Sequence, residues 1–241
     1  MKNVVLAAGY ATRLYPLTEN FPKPLLEIEG ISILDRLISN VDVINEIDEH
    51  VIVSNHKFLH FFEKWAEESC YSKAITIVDD GSTVNEKRLG AVRNLVLAIE
   101  RQQLYDDDLL VVAADNVVTF SFQGFTDYFK EKQTSLIMTH YEQDIKALQR
   151  TGVISIDENN RVLKMQEKPL EPDSHYAVPP FYIYKKDDIK FIQECVSEGC
   201  NIDAPGSLVI AMLKKTVFHA WHMPGKRYDI GALESYLTFS F

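Results

Sequence analysis

The chain carries only three cysteines, Cys70, Cys195 and Cys200, with no C-x-x-C spacing among them. An odd, scattered set argues against a disulfide framework and fits ordinary thiols in a reducing compartment. No run of about 18 apolar residues exists, so no bilayer-spanning helix and no membrane partner are expected. The N-terminal MKNVVLAAGY has one lysine before a short apolar run broken by Gly9, which does not read as a secretory signal. A cytoplasmic location is the expectation. The dinucleotide fingerprint G-x-G-x-x-G and the P-loop G-x-x-x-x-G-K-[ST] are missing, which argues against an ordinary NAD-dependent enzyme and a P-loop ATPase. The nucleophile elbow G-x-S-x-G is missing too. Positive charge is scarce: 25 Lys and Arg against 35 Asp and Glu give a net charge of -10. No nucleic-acid partner is expected, and a phosphate ligand must be held locally, by cations, backbone N–H groups or a metal.

What is present is an ordinary globular composition, 46% hydrophobic over 241 residues, enough for one large core or two small ones. Strand and helix signals alternate through the first 140 residues. NVVLAA (3–8), HVIVS (50–54), AITIV (74–78), LLVVAA (109–114) and 134–139 read as strands. Segments 32–38, 57–68, 90–103 and 122–132 read as helices, the first capped by Ser32. This rhythm predicts right-handed βαβ units and a mostly parallel, Rossmann-like mixed α/β sheet flanked by helices, with ligands beyond the carboxyl ends of the strands. After residue 140 the pattern changes. Strands at 152–156 and 161–165 flank the turn DENN, FYIY (181–184) is another, and helices near 186–197 and 205–214 precede a strand at 216–221 and a terminal helix from about 231. With no linker, the expectation is one domain over 1–241, changing pattern at about residue 140, with small antiparallel elements in its second part.

The stretch LAAGYATRLYPLTENFPKPLLEIEG follows the first strand. Ala7, Ala8, Gly9 and Ala11 let a ligand approach the backbone, and Gly9 can take positive φ. Arg13 offers a planar fork to phosphate and Lys23 a point charge, stiffened by Pro22 and Pro24. The competing reading is a strand-to-loop turn with two solvated cations. Asp115 ends a strongly apolar strand, where a carboxylate suits Mg²⁺; an Asx-type turn with Asn116 is the alternative. Asp229 in RYDIG is a second metal candidate or a helix N-cap. Glu167-Lys168-Pro169 offers hydroxyl and phosphate contacts but is common and weak alone, where surface charge is the better explanation. YAVPPFYIY walls a pocket or is simply core. His56 and His60 are four apart and read as a helix-face pair.

In order along the chain, LAAGYATRLYPLT, FPKP, Leu89-Gly90, AADN, TGVI, EKP and RYDIG resemble the sugar-1-phosphate nucleotidyltransferases (NDP-sugar pyrophosphorylases). The short forms related to glucose-1-phosphate thymidylyltransferase and mannose-1-phosphate guanylyltransferase are the nearest in pattern. The resemblance implies the nucleotide-diphospho-sugar transferase fold, with a nucleotide-binding part at 1–140 and a sugar-phosphate-binding part at 141–241. It implies nucleotide contacts from Leu6, Ala8, Gly9, Arg13, Lys23, Leu89 and Gly90. Sugar-phosphate contacts fall on Gly152, Glu167 and Lys168, Mg²⁺ ligation on Asp115 and Asp229, and catalysis on Arg13, Lys23, Asp115, Lys168 and Asp229. The chain departs from the pattern at Ala11, where a further glycine is common, and at Leu-Gly-Ala-Val in place of Leu-Gly-Thr-Ala. Its 241 residues leave no room for a long C-terminal extension, so none is expected.

The implied reaction is NTP plus sugar 1-phosphate giving NDP-sugar and pyrophosphate; the resemblance also leaves room for a homo-oligomer. Two other readings stay open. One is a cytidylyltransferase acting on phosphocholine, a phosphonate or a polyol phosphate. The other is a nucleotide-binding regulatory module without catalysis.

Overall fold

The structure, a computed structural model, describes residues 1–231 and Tyr236; most of the terminal helix expected from about 231 lies outside the described residues. The first half alternates as the sequence rhythm requires. Strand β1 (Lys2–Leu6) leads through a long loop to the two-residue strands β2 (Glu27–Ile28) and β3 (Ile31–Ser32), then helix α1 (Ile33–Asp42). Ser32 caps α1, its hydroxyl accepting from Asp35 N at 2.9 Å. Strand β4 (Glu49–Ser54), helix α2 (Leu59–Glu68), strand β5 (Ala74–Asp79), helix α3 (Ala91–Gln102) and strand β6 (Leu109–Ala113) follow. Strand β7 (Asn116–Val118), helix α4 (Gln123–Lys132) and strand β8 (Ser135–Tyr141) close this half.

The second half adds α5 (Ile145–Leu148), β9 (Gly152–Ile156), β10 (Val162–Glu167), β11 (Tyr176–Val178) and β12 (Phe181–Tyr184). It ends with α6 (Ile189–Ser197), α7 (Pro205–Met212), β13 (Phe218–His222) and β14 (Arg227–Asp229). The DENN turn joins β9 to antiparallel β10, with Asp157 Oδ1 accepting from Asn159 N and Arg161 N at 2.9 Å each. Among the described residues one ten-stranded sheet runs β10-β9-β11-β8-β12-β6-β1-β4-β5, with β13 beside β8. The β6-β1-β4-β5 strip is parallel; β12 enters between β6 and β8 antiparallel to both. The second half therefore extends the sheet of the first.

Helices cover both faces, so the central strands are buried on both sides and read as continuous apolar runs. Val4, Val51 and Val111 pack with Leu95, Ile99, Ile192 and Leu208 on one face. Val5, Ile52 and Leu110 pack with Leu34, Ile38, Phe62 and Phe125 on the other. Five strands escaped the sequence reading. β2 and β3 are two residues each and β7, β11 and β14 three, too short for a period of two to register. β7 and β14 form a separate antiparallel pair with Asp229 opposite Asn116.

Candidate active site

The loop after β1 is pinned before it turns. Ala7 N donates to Val53 O, Ala114 N to Leu6 O, and Asn55 Nδ2 to Ala8 O, at 2.9, 3.1 and 3.1 Å. Gly9 then stands exposed, outside the positive-φ region, and a Cβ there would meet nothing within 4 Å. Neither conformation nor the chain's own packing requires a glycine at this position. The freedom anticipated at Gly9 is used at Ala11, which adopts the left-handed conformation at φ 47°. An L-residue there costs about 1–2 kcal/mol, partly offset by the lower entropy of alanine in the unfolded chain. Ala11→Gly is therefore expected to stabilise the protein by up to about 1 kcal/mol, read as a small rise in denaturant midpoint.

Pro22 and Pro24 flank a single turn that drives Lys23 inward: the residue is 6% exposed, and its Nζ lies 3.1 Å from Asp115 Oδ2. The solvated-cation reading fails for Lys23, whereas Arg13 is exposed. Asp115 reaches the pair because β6 ends at Ala113. Its other oxygen accepts from Asn116 Nδ2 at 2.7 Å. The β7–β14 pairing brings Asp229 to the same place from 114 residues away in sequence, since Asp229 is opposite Asn116 and Ile230 N donates to Asp115 O at 3.2 Å. Asp229 thus sits at the end of strand β14, and most of the helix it would cap lies outside the described residues. Asp229 is open to a cavity, yet the protein beneath it and then the negative charge of Asp115 push its carboxyl above the ordinary value; Lys23, Arg227 and Arg13 oppose the shift. Two carboxylates converging on one point, one of them perturbed by the other, form a site that favours a cation.

Two cavities open at the carboxyl ends of β1 and β6. One, of about 590 Å³, is lined by Leu6, Ala8, Gly9, Arg13, Lys23 and Gly90 among others. The second, of about 420 Å³, is lined by Gly152, Glu167, Ala177, Tyr182 and Arg227 among others. Asp115, Lys168, Pro180, Asp203 and Pro205 line both. The anticipated residues therefore gather as two groups meeting at Asp115 and Lys168; Leu89 is not among the cavity-lining residues. Gly90, at φ +89°, has a packing reason: a Cβ would come 2.7 Å from Ile202 O. Gly152 and Gly206 leave room for Met165 and for the Glu167 carboxylate, which a Cβ on Gly206 would strike at 2.0 Å. Burial there raises the Glu167 pKa, and Lys168 opposes the rise. The YAVPPFYIY stretch serves both proposed purposes: Ala177, Val178, Pro180 and Tyr182 face the cavity, and Phe181, Ile183 and Tyr184 are core.

The Nucleotidyl transferase family model matches residues 2–240. The chain belongs to the nucleotidyl transferase family. It is similar to the glucose-1-phosphate adenylyltransferase of Fervidobacterium nodosum, at 26% identity over 98% of this chain and 60% of that protein. It is 32% identical to the bifunctional protein GlmU of Methanococcus aeolicus over 77% of this chain and 40% of that one. The chain spans between 40% and 61% of the length of such curated relatives. In fold it superposes on a UDP-glucose pyrophosphorylase complexed with UDP-glucose with a TM-score of 0.82, at 20% identity, covering 98% of this chain and 95% of that one.

Several residues lining the two cavities of this nucleotidyl transferase family member escaped the sequence reading. Asn116, His140, Arg150, Asp203 and Arg227 all line the smaller cavity. Arg88 lines the larger one and pairs with Asp203 at 3.7 Å. His140 is held below its ordinary pKa by burial and then by the charge of Arg227. The readable signal was the RYDIG motif itself, in which Arg227 lies two residues before Asp229 and so projects from the same side of β14. His56, by contrast, precedes α2 and pairs with Asp79 at 2.7 Å.

The raised Asp229 pKa gives a sign for its cost. Its stability contribution is fully present below the unfolded carboxylate value of about 3.9 and is lost as pH rises through the higher native value. Asp229→Asn removes that loss. The variant is expected to melt above wild type at pH 8, the gap closing toward pH 3.5, as thermal melts at both pH values will show.

Proposed function

We propose that this chain transfers a nucleotidyl group from an NTP to a sugar 1-phosphate, releasing pyrophosphate. The observation that carries the reading is the meeting of two cavities at Asp115 and Lys168. A triphosphate fits the larger, cationic one. There the small side chains from Ala7 to Gly9 admit backbone contact, and Arg13 and Lys23 neutralise charge. The acceptor fits the smaller one, with Glu167 accepting from sugar hydroxyls and Lys168 holding the acceptor phosphate.

The sugar phosphate is already ionised at neutral pH, since its second pKa is about 6, so no protein base is needed. Its oxygen attacks the α-phosphate in line with the departing pyrophosphate. The chain's residues align the two anions and offset their repulsion. Among the described residues no cluster of three or more Asp, Glu, His or Cys side chains exists. Mg²⁺ commonly takes one or two carboxylates and completes its shell with phosphate oxygens and water, and Asp115 with Asp229 fits that need. Bound there, Mg²⁺ supplies charge neutralisation at the reacting phosphate.

A phosphocholine acceptor is disfavoured by the same cavity. Among the described residues its lining includes two aromatic rings, His140 and Tyr182, too few to make a cage. Quaternary ammonium groups are bound by aromatic cages. The test is a matrix of nucleoside triphosphates against sugar 1-phosphates and phosphocholine, with Mg²⁺, reading pyrophosphate. Release with a sugar 1-phosphate supports the reading. Release with phosphocholine alone, or NTP binding with no release, overturns it.

A further inference from the structure

Asp115 is gripped on both carboxylate oxygens. Lys23 Nζ takes Oδ2 at 3.1 Å, and Asn116 donates from Nδ2 to Oδ1 at 2.7 Å. An amide can turn either edge toward a neighbour, so something must decide which edge of Asn116 faces the carboxylate. Arg227 decides it. A terminal guanidinium nitrogen donates to Asn116 Oδ1 at 2.6 Å, leaving Nδ2 as the edge toward Asp115. Asn116 is 1% exposed, so water does not compete for either edge. The β7–β14 pairing fixes this contact, with Arg227 opposite Val118 and Asp229 opposite Asn116.

A structural strut would end there, but Arg227 also forms part of the acceptor cavity wall. Its Nε is buried and has no hydrogen-bond partner among the described residues, and neither has His140 Nδ1 in the same wall. A guanidinium has five donors in a planar fork, so one edge can hold Asn116 while another serves an anionic or hydroxylated ligand.

We propose that Arg227 is a positioning residue that engages an oxygen of the acceptor molecule and, through Asn116, sets the orientation of the Asp115 carboxylate. The relay runs Arg227, Asn116, Asp115, and links acceptor binding to the reacting centre; it rests on the reaction proposed above.

The variants separate its two duties. Asn116→Leu cuts the link to Asp115, together with a 3.3 Å bond to Ala113 O, while leaving Arg227 in the cavity wall, and kcat falls at least about tenfold with acceptor KM near wild type. Arg227→Lys keeps the charge without the fork and gives the same kcat loss with KM near wild type. Arg227→Met loses both and raises acceptor KM about tenfold as well. The double variant Asn116→Leu with Arg227→Met has a kcat no lower than Arg227→Met alone, because both cut one path. Independently of turnover, Mn²⁺ affinity of the protein–NTP complex, read by electron paramagnetic resonance, weakens about tenfold in Asn116→Leu and in Arg227→Met. Thermal melts check folding, and Arg227→Lys carries the test if Arg227→Met does not fold. Multiplying kcat losses in the double variant, or unchanged Mn²⁺ affinity in the single ones, overturns the relay. Wild-type protein that makes no pyrophosphate with any acceptor defeats the proposed reaction, while the Mn²⁺ measurement still judges the relay.

Discussion

Asp115→Asn is expected to lower pyrophosphate release by on the order of 10² to 10³, the range seen when one preorganised electrostatic group is deleted from a reacting centre. The change is nearly isosteric but removes the charge that Lys23 and a divalent cation would share. Folding should survive it. Lys23 keeps an amide oxygen within reach of its 3.1 Å contact, and the repulsion that raises Asp229 disappears. The melting temperature is therefore expected to stay close to wild type while turnover collapses. Wild-type-like release at saturating substrates would remove Asp115 from the reaction, and a large drop in melting temperature would make its role structural.

The parts of this site that were legible in the sequence are those set by local chemistry. The Ser32 cap, the DENN turn and the buried run before Asp115 each follow from a few adjacent residues, and the structure has all three. The sheet followed from alternating periods. Less legible was everything decided by pairing across distance. Asp229 reads as a metal ligand or a helix cap, and only the pairing of three-residue β14 with three-residue β7 brings it beside Asp115. Lys23 reads as a cation for phosphate or a solvated one, and nothing local says that its flanking prolines turn it onto Asp115. Asn116 reads as a turn residue, yet its amide is the link between Arg227 and Asp115. The rarer conformation fell at Ala11, not at Gly9, because a glycine in a sequence signals either positive φ or close approach, and the residue alone does not say which.

Lys168→Asn is expected to raise the acceptor KM at least about tenfold and to lower kcat, with the KM for NTP changing less. The ammonium of Lys168 has no hydrogen bond or ion pair among the described residues, although the residue lines both cavities. Its charge is therefore available to a ligand, and its loss costs the fold no contact. The backbone matters more: Lys168 sits at φ 47°, with its N–H donating to Thr151 O at 3.0 Å. Asparagine tolerates that left-handed conformation better than alanine, so Lys168→Asn removes the charge without adding strain. Melting temperature should hold or rise slightly. A second readout follows from Glu167, whose pKa is raised by burial and held down by Lys168. Without the lysine the carboxyl rises further, so the acceptor KM of the variant should begin to climb at a higher pH on acidification than that of wild type. Unchanged KM and kcat would remove Lys168 from acceptor binding. A KM that rises with an unshifted pH profile would keep the phosphate contact and separate Glu167 from it.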